Sequence, residues 1–310
     1  MKAIRIHRFG GPEVLELDDV PIPQPGEDEL LVRTRAASVN PVDYKIRHGT
    51  VPWVSREMLP ITLGRDLSGT VESTGAGVDA FGEGEAVYAM LGSIDRGSYA
   101  EYVLVRPNEA APKPARLSHI EAAAVPLAAL TAWQGLFDHG HLEAGQTALV
   151  HGGSGGVGHF AIQFAKVKGA TVLTTVSGQN LGFARELGAD RAIDYESQRF
   201  EEIARDVDLV LDLVGGETQE RSWSVLKPGA LLVSALGEPS KEKAMQHGAH
   251  GLGYRAQSNA GQLAEIGRLI DQGKVRPVVM ASYPLAEARQ AHERLERGHV
   301  RGKIVLVVAE

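Results

Sequence analysis

The chain has no cysteine among its 310 residues. Disulfides, thiolate metal sites and a cysteine nucleophile are therefore excluded. Positive charge is not in excess either: 32 Lys and Arg stand against 39 Asp and Glu, a formal net charge of −7. That sign repels a phosphate backbone, so nucleic-acid binding as a main task is disfavoured. No apolar run approaches the length of a membrane span, and the opening "MKAIRIHRFG" has no signal-peptide core. The expectation is a soluble cytoplasmic protein with neither a nucleic-acid nor a membrane partner. A content of 43% hydrophobic and 23% charged residues can build a real core.

Two rhythms divide the chain. Up to about residue 120, short alternating runs such as "KAIRIHRF", "ELLVRTRAASV" and "SYAEYVLV" are separated by turn signals such as "PIPQPGEDE". They predict an irregular β domain, a barrel or a sandwich. From Ser118, an N-cap with Glu121 three places on, "SHIEAAAVPLAALTAWQGLFD" has helical spacing. Apolar strands and amphipathic helices then alternate to about residue 271, ending on a helix at "AGQLAEIGRLIDQG". That alternation predicts a parallel sheet covered on both faces. The tail returns to strand, helix and strand. The fold class expected is α/β with two domains, one over 1–120 completed by 272–310 and the other over 121–271.

The densest signal is "TALVHGGSGGVGHF", residues 147 to 160. Gly153, Gly155 and Gly158 fit G-x-G-x-x-G between a strand and a helix. The first permits the tight turn, the second lets a pyrophosphate approach bare backbone, and the third lets helix and strand pack closely. The backbone of Ser154, Gly156 and Val157 completes an anion cradle at the positive end of the helix. A close-packed corner without ligand is the plainer reading of such a turn. The strand before, the helix after and four further alternations favour a dinucleotide. The next strand, "TVLTTV", ends in "SGQN" with no acid. An acid there would oppose a 2′-phosphate by roughly 1 to 4 kcal/mol. Ser177 and Asn180 stand as donors instead, which favours NADP(H), although no Lys or Arg occupies the tip. Ser177 also suits a plain helix cap.

Taken in order, "ASVNPVDYKIRHG" (37–49), "LGRDLSGTV" (63–71), "GSYAEYV" (97–103), "AVPLAALTAWQGL" (124–136), the glycine motif, "LGAD" (187–190) and "GHVRGKIVL" (298–306) carry a resemblance. The chain resembles the zinc-independent quinone oxidoreductase branch of the medium-chain dehydrogenase/reductase superfamily. The resemblance implies a GroES-like β-barrel domain built from both chain ends, with a Rossmann domain inserted. It also implies hydride transfer from NADPH to a quinone or an α,β-unsaturated carbonyl compound, and a homodimer. Where zinc-containing relatives place Cys, His-Glu and Cys, this sequence has Asn40, Arg65-Asp66 and the stretch from Leu127 to Ala129. At most an isolated carboxylate is left, so no metal is expected.

Site residues follow from the same resemblance. Asn40 is expected at the nicotinamide ribose or the acceptor oxygen, or else as a turn-making Asn before Pro41. Tyr44 or Lys45 is expected to donate to the substrate carbonyl, with solvent as the other proton source. Thr131 is expected at the nicotinamide and Tyr195 at the adenosine phosphate. Ser234 and Leu236 are expected to line the nicotinamide through backbone groups. Arg301 and Lys303 would reach the pyrophosphate, or lie on the surface beside the last strand. The histidines of "HGH" (139–141) and "HGAH" (247–250) are read as loop residues without a metal role. Two other functions fit the same motifs. One is enoyl-thioester reduction, which needs a basic groove from residues such as Arg47, Arg56 and Arg65. The other is non-catalytic NADPH binding.

Overall fold

A computed structural model describes residues 1–308. The chain opens with strands β1 (Lys2–Ile6), β2 (Leu15–Asp19) and β3 (Leu30–Val39), then helix α1 (Pro41–Arg47). Strands β4 (Ile61–Thr62), β5 (Asp66–Thr74), β6 (Ala86–Met90), β7 (Tyr102–Val105) and β8 (Ala110–Pro112) follow. The long helix predicted from Ser118 is two helices, α2 (His119–Ala123) and α3 (Pro126–Trp133). Pro126 explains the break, because the residue before a proline is pushed out of helical geometry. Ser118 caps α2 as expected, accepting from the Glu121 amide at 3.2 Å.

Strand and helix then alternate through β9 (Thr147–His151), α4 (Gly158–Lys168), β10 (Thr171–Val176), α5 (Leu181–Glu186) and β11 (Arg191–Asp194). They continue through α6 (Phe200–Ile203), β12 (Val207–Asp212), α7 (Gly216–Ser222), β13 (Leu226–Ser234), α8 (Lys241–Gln246) and β14 (His250–Gly253). All six strands are parallel, in the order β11-β10-β9-β12-β13-β14. This is the doubly wound arrangement, and its strand order reverses between β9 and β12. Leu149, Val210, Leu232 and Trp223 fill one of its buried clusters. His250 was expected in a loop, and instead it opens the edge strand β14.

Helix α9 (Ala260–Asp271), strand β15 (Val279–Pro284), helix α10 (Ala288–Glu296) and strand β16 (Lys303–Val307) complete the chain. The first unit comprises residues 1–127, 258–273 and 277–310, and the second comprises 128–257 and 274–276. The structure therefore moves α9 from the nucleotide domain, where the sequence placed it, to the first unit. There the Tyr88 hydroxyl donates to the Leu263 carbonyl at 2.5 Å, and Ser258 donates to Met90 O at 2.7 Å. The first unit contains a sheet β15-β16-β3-β5-β6-β8, with β7 also on β3, and a smaller sheet β2-β1-β4. Ile4, Ile6, Val39, Leu63 and Ile304 share one of its cores, and Leu30, Leu67 and Val87 share another.

Candidate functional site

The glycine loop leaves β9 at the point where strand order reverses, the usual ligand position in such sheets. Three glycines have three different surroundings. A Cβ on Gly153 would collide with Thr174 Oγ1 on β10, and one on Gly158 with the Gly152 carbonyl. These two are fixed by packing. A Cβ on Gly155 would meet only the Gly152 carbonyl oxygen, at 3.3 Å. No close protein packing requires its bareness, which leaves room for a ligand to approach. The stretch from Ser154 to Val157 is partly exposed. Among the described residues, the amides of Gly156, Val157 and Gly158 have no backbone acceptor, as expected for the first turn of α4. The His151 ring beneath the loop bonds Thr175 Oγ1 and Ser222 Oγ, each at 2.9 Å. Burial holds its pKa down to about 4.

The other residues expected around the dinucleotide are less uniform. Ser177 and Asn180 are both buried, with Asn180 Nδ2 donating to Ser177 Oγ at 2.9 Å. Tyr195 is 51% exposed at the end of β11. The Thr131 carbonyl in α3 accepts from the Tyr254 hydroxyl at 2.6 Å. The Ser234 carbonyl accepts from the Tyr254 amide at 3.0 Å. The Ser234 hydroxyl bonds Asp212 at 3.0 Å. Leu236, by contrast, is 49% exposed. Asp212 was missed in the sequence. It also accepts from the amides of Val214 and Gly215 at 3.0 and 2.8 Å and from Gln219 at 2.7 Å, tying loops at the carboxyl ends of β12 and β13. An acid closing the apolar run "VDLVLD" was the available signal.

In the first unit, strand register assembles a buried polar cluster. Ile304 pairs with Val39, and Ser38 with Asp66, so the ends of β16, β3 and β5 meet. Asp66 Oδ2 accepts from the Ser38 hydroxyl at 2.6 Å and from Asn40 Nδ2 at 3.0 Å, and Asp66 Oδ1 accepts from the Leu127 amide at 2.8 Å. The Lys303 ammonium bonds Asn40 Oδ1 and, at 3.3 Å, the Val39 carbonyl, and it lies 3.8 Å from Asp66 Oδ2. Only 4% of Lys303 is exposed. Burial lowers its pKa, against the pull of Asp66 and Asp43. Lys303 therefore neither flanks the strand on the surface nor has an ammonium to spare for a pyrophosphate. Arg301 beside it is exposed. Asn40 also starts α1, its amide donating to Asp43 at 2.8 Å, and Tyr99 donates to the same carboxylate at 2.9 Å. Burial raises the Asp43 pKa to about 6.

The positions matched to the zinc ligands of relatives, Asn40, Asp66 and Leu127, thus do converge. Their donors are an amide, a carboxylate and a backbone N–H, with an ammonium among them. A catalytic zinc site uses three His, Cys or carboxylate ligands and an open position, and this set does not fit. The carboxylate expected to be isolated is paired with Lys303. Among the described residues, the one His/Asp/Glu group with metal-like spacing is His7, just after β1, with Glu16 and Asp18 on β2, a different place. On α1, Tyr44 is half-buried, its ring edge-on to His48 at 6.3 Å, and Lys45 is exposed. The basic groove does not assemble. Arg47 is buried on Glu296 at 2.8 Å, and Arg65 Nε donates to Leu91 O at 2.7 Å, while Arg56 is exposed.

The chain matches two family models, the alcohol dehydrogenase GroES-like domain over residues 26–115 and zinc-binding dehydrogenase over residues 187–306. It is similar to the mouse NAD(P)H oxidoreductase RTN4IP1, mitochondrial, at 36% identity, covering 99% of this chain and 89% of that protein. It is similar to tomato 2-methylene-furan-3-one reductase at 37% identity, covering 99% and 79%. Among solved structures it superimposes on the Escherichia coli quinone oxidoreductase complexed with NADPH, with a TM-score of 0.89, 30% identity and coverage of 99% and 100%. The GroES-like unit, the doubly wound sheet and the relatives agree, and the chain belongs to the quinone oxidoreductase branch of the medium-chain dehydrogenase/reductase superfamily.

Proposed function

We propose that this chain is an NADPH-dependent reductase of quinones or α,β-unsaturated carbonyl compounds that works without a metal. The carrying observation is the cradle over Gly153–Gly158, in which a Cβ on Gly155 would meet only the Gly152 carbonyl oxygen, whereas Gly153 and Gly158 are packed tight. Its backbone amides and the first turn of α4 would hold the diphosphate. Reduced nicotinamide, when bound, supplies the hydride. The protein's own share is to orient, to exclude water, and to stabilise negative charge developing on the acceptor oxygen. Reading the polar cluster as metal-free rests on Lys303, whose ammonium balances Asp66 inside it. A polarised acceptor needs no Lewis acid for hydride addition, whereas alcohol oxidation by the zinc route does.

The test is NADPH oxidation followed with 1,4-benzoquinone, a 2-alkenal and an enoyl thioester, each with and without a chelator. Turnover of the quinone or alkenal, unaffected by the chelator, is expected. Preference for the thioester in kcat/KM would move the substrate class, and loss of activity with chelator would overturn the metal-free mechanism.

A further inference from the structure

We infer that Asp194 weakens the hold on a 2′-phosphate, so that NADH serves this chain alongside NADPH. The inference rests on the dinucleotide reading above and deepens it. In dinucleotide folds an acid at the end of the second strand reads the ribose hydroxyls. Here the second strand is β10, and its tip, "SGQN", has none. The next strand supplies one instead. β10 and β11 run parallel with Val176 opposite Asp194, so Asp194 ends its strand level with the tip of β10. The corner is closed by the Tyr195 amide donating to Val176 O at 3.1 Å. Gly178 lets the carboxylate come near, since a Cβ there would sit 3.0 Å from Asp194 Oδ2.

Among the described residues, no cation pairs with the carboxylate. Its oxygens take the Glu196 amide at 3.1 Å and the Ser197 hydroxyl at 2.6 Å, neither a cation. Arg191 opens β11 three residues upstream, about 10 Å along a strand. Arg185, in the last turn of α5, and Arg191 line one pocket with Asp194, but neither forms an ion pair with its carboxylate. A negative group at this corner opposes a 2′-phosphate and accepts readily from a 2′-hydroxyl.

Calorimetry with 5′-AMP and 2′,5′-ADP on the full chain tests this without turnover. Asp194→Asn is expected to raise 2′,5′-ADP affinity relative to 5′-AMP about fivefold or more. In the unaltered chain, raising salt from ~20 to ~300 mM should raise the same ratio, because screening relieves a repulsion. A ratio that falls with salt would mean that a cation such as Arg185 or Arg191 holds the phosphate, and would overturn the inference. So would a folded Asp194→Asn protein with an unchanged ratio. Binding of neither nucleotide would instead remove the dinucleotide reading itself, and the inference with it.

Discussion

The Lys303 ammonium lies 3.8 Å from Asp66 Oδ2, with both side chains buried and the two residues 237 positions apart in the chain, 66 and 303. Strand register brings them together, β16 and β5 flanking β3. Removing one member of a buried pair leaves the other charged in a low-dielectric setting, at a cost of roughly 3 to 5 kcal/mol. Lys303→Met should lose about that much in urea unfolding. Lys303→Met combined with Asp66→Asn should lose less than the two single variants summed, because the stranded charge is gone. Additive losses would show that the pair is not coupled.

The glycine loop separates folding from binding. Gly158→Ala places a methyl against the Gly152 carbonyl, so it should lower the melting temperature by several degrees. Gly155→Ala touches that carbonyl at 3.3 Å and little else, so its stability should stay within about 1 kcal/mol. Its NADPH affinity should fall about tenfold or more, since the methyl enters the space a diphosphate would need. Equal NADPH affinity in Gly155→Ala and the unaltered chain would place the nucleotide elsewhere.

The nucleotide half was legible because its signals are local. Strand, glycine loop and helix lie within the twenty-two residues from 147 to 168, and each glycine's job follows from its neighbours. Pro126 was visible too, but its power to split the helix was outweighed by the alanine-rich pattern around it. The pattern of α9 says that it is a helix with one apolar face, not which core receives that face. Lys303 was the hardest residue to place. Lysine is rarely buried unless paired, so beside a terminal strand it reads as a surface residue. Only the pairing of Ile304 with Val39 sets it by Asn40. Asp194 escaped for the same reason, because it sits near the β10 tip in space but on the next strand in sequence.

Proton delivery distinguishes Tyr44 and Lys45 from solvent. Lys45 is exposed, and burial raises the Tyr44 pKa, so the phenol holds its proton more firmly. Tyr44→Phe and Lys45→Ala should each keep kcat within about threefold, with water protonating the reduced acceptor. A positioned general acid contributes roughly a hundredfold or more, so a loss of that size in one variant would identify it as the donor.

Stability should fall in mild acid, and two buried histidines set the sign. His292 Nδ1 lies 3.0 Å from Arg47, which can only donate, so the ring is neutral. Burial, then the Arg47 charge, pushes its pKa down to about 3, while burial pushes His151 to about 4. Unfolded histidine titrates near ~6.5, so between the two values the unfolded chain binds more protons and stability drops as pH falls. Asp43, raised to about 6, acts the other way, because the folded chain then binds more protons between its two pKa values. Each histidine costs about 2 kcal/mol at pH 5, and the carboxyl offsets about 1. His119, half-buried and held down to about 4 mainly by burial, acts in the same direction, so the urea midpoint at pH 5 should lie below that at pH 7.5 by the equivalent of at least about 2 to 3 kcal/mol. His151→Asn removes one titrating ring, so its stability should vary less between the two pH values. An unchanged slope in that variant would mean that His151 titrates alike in the folded and unfolded chain.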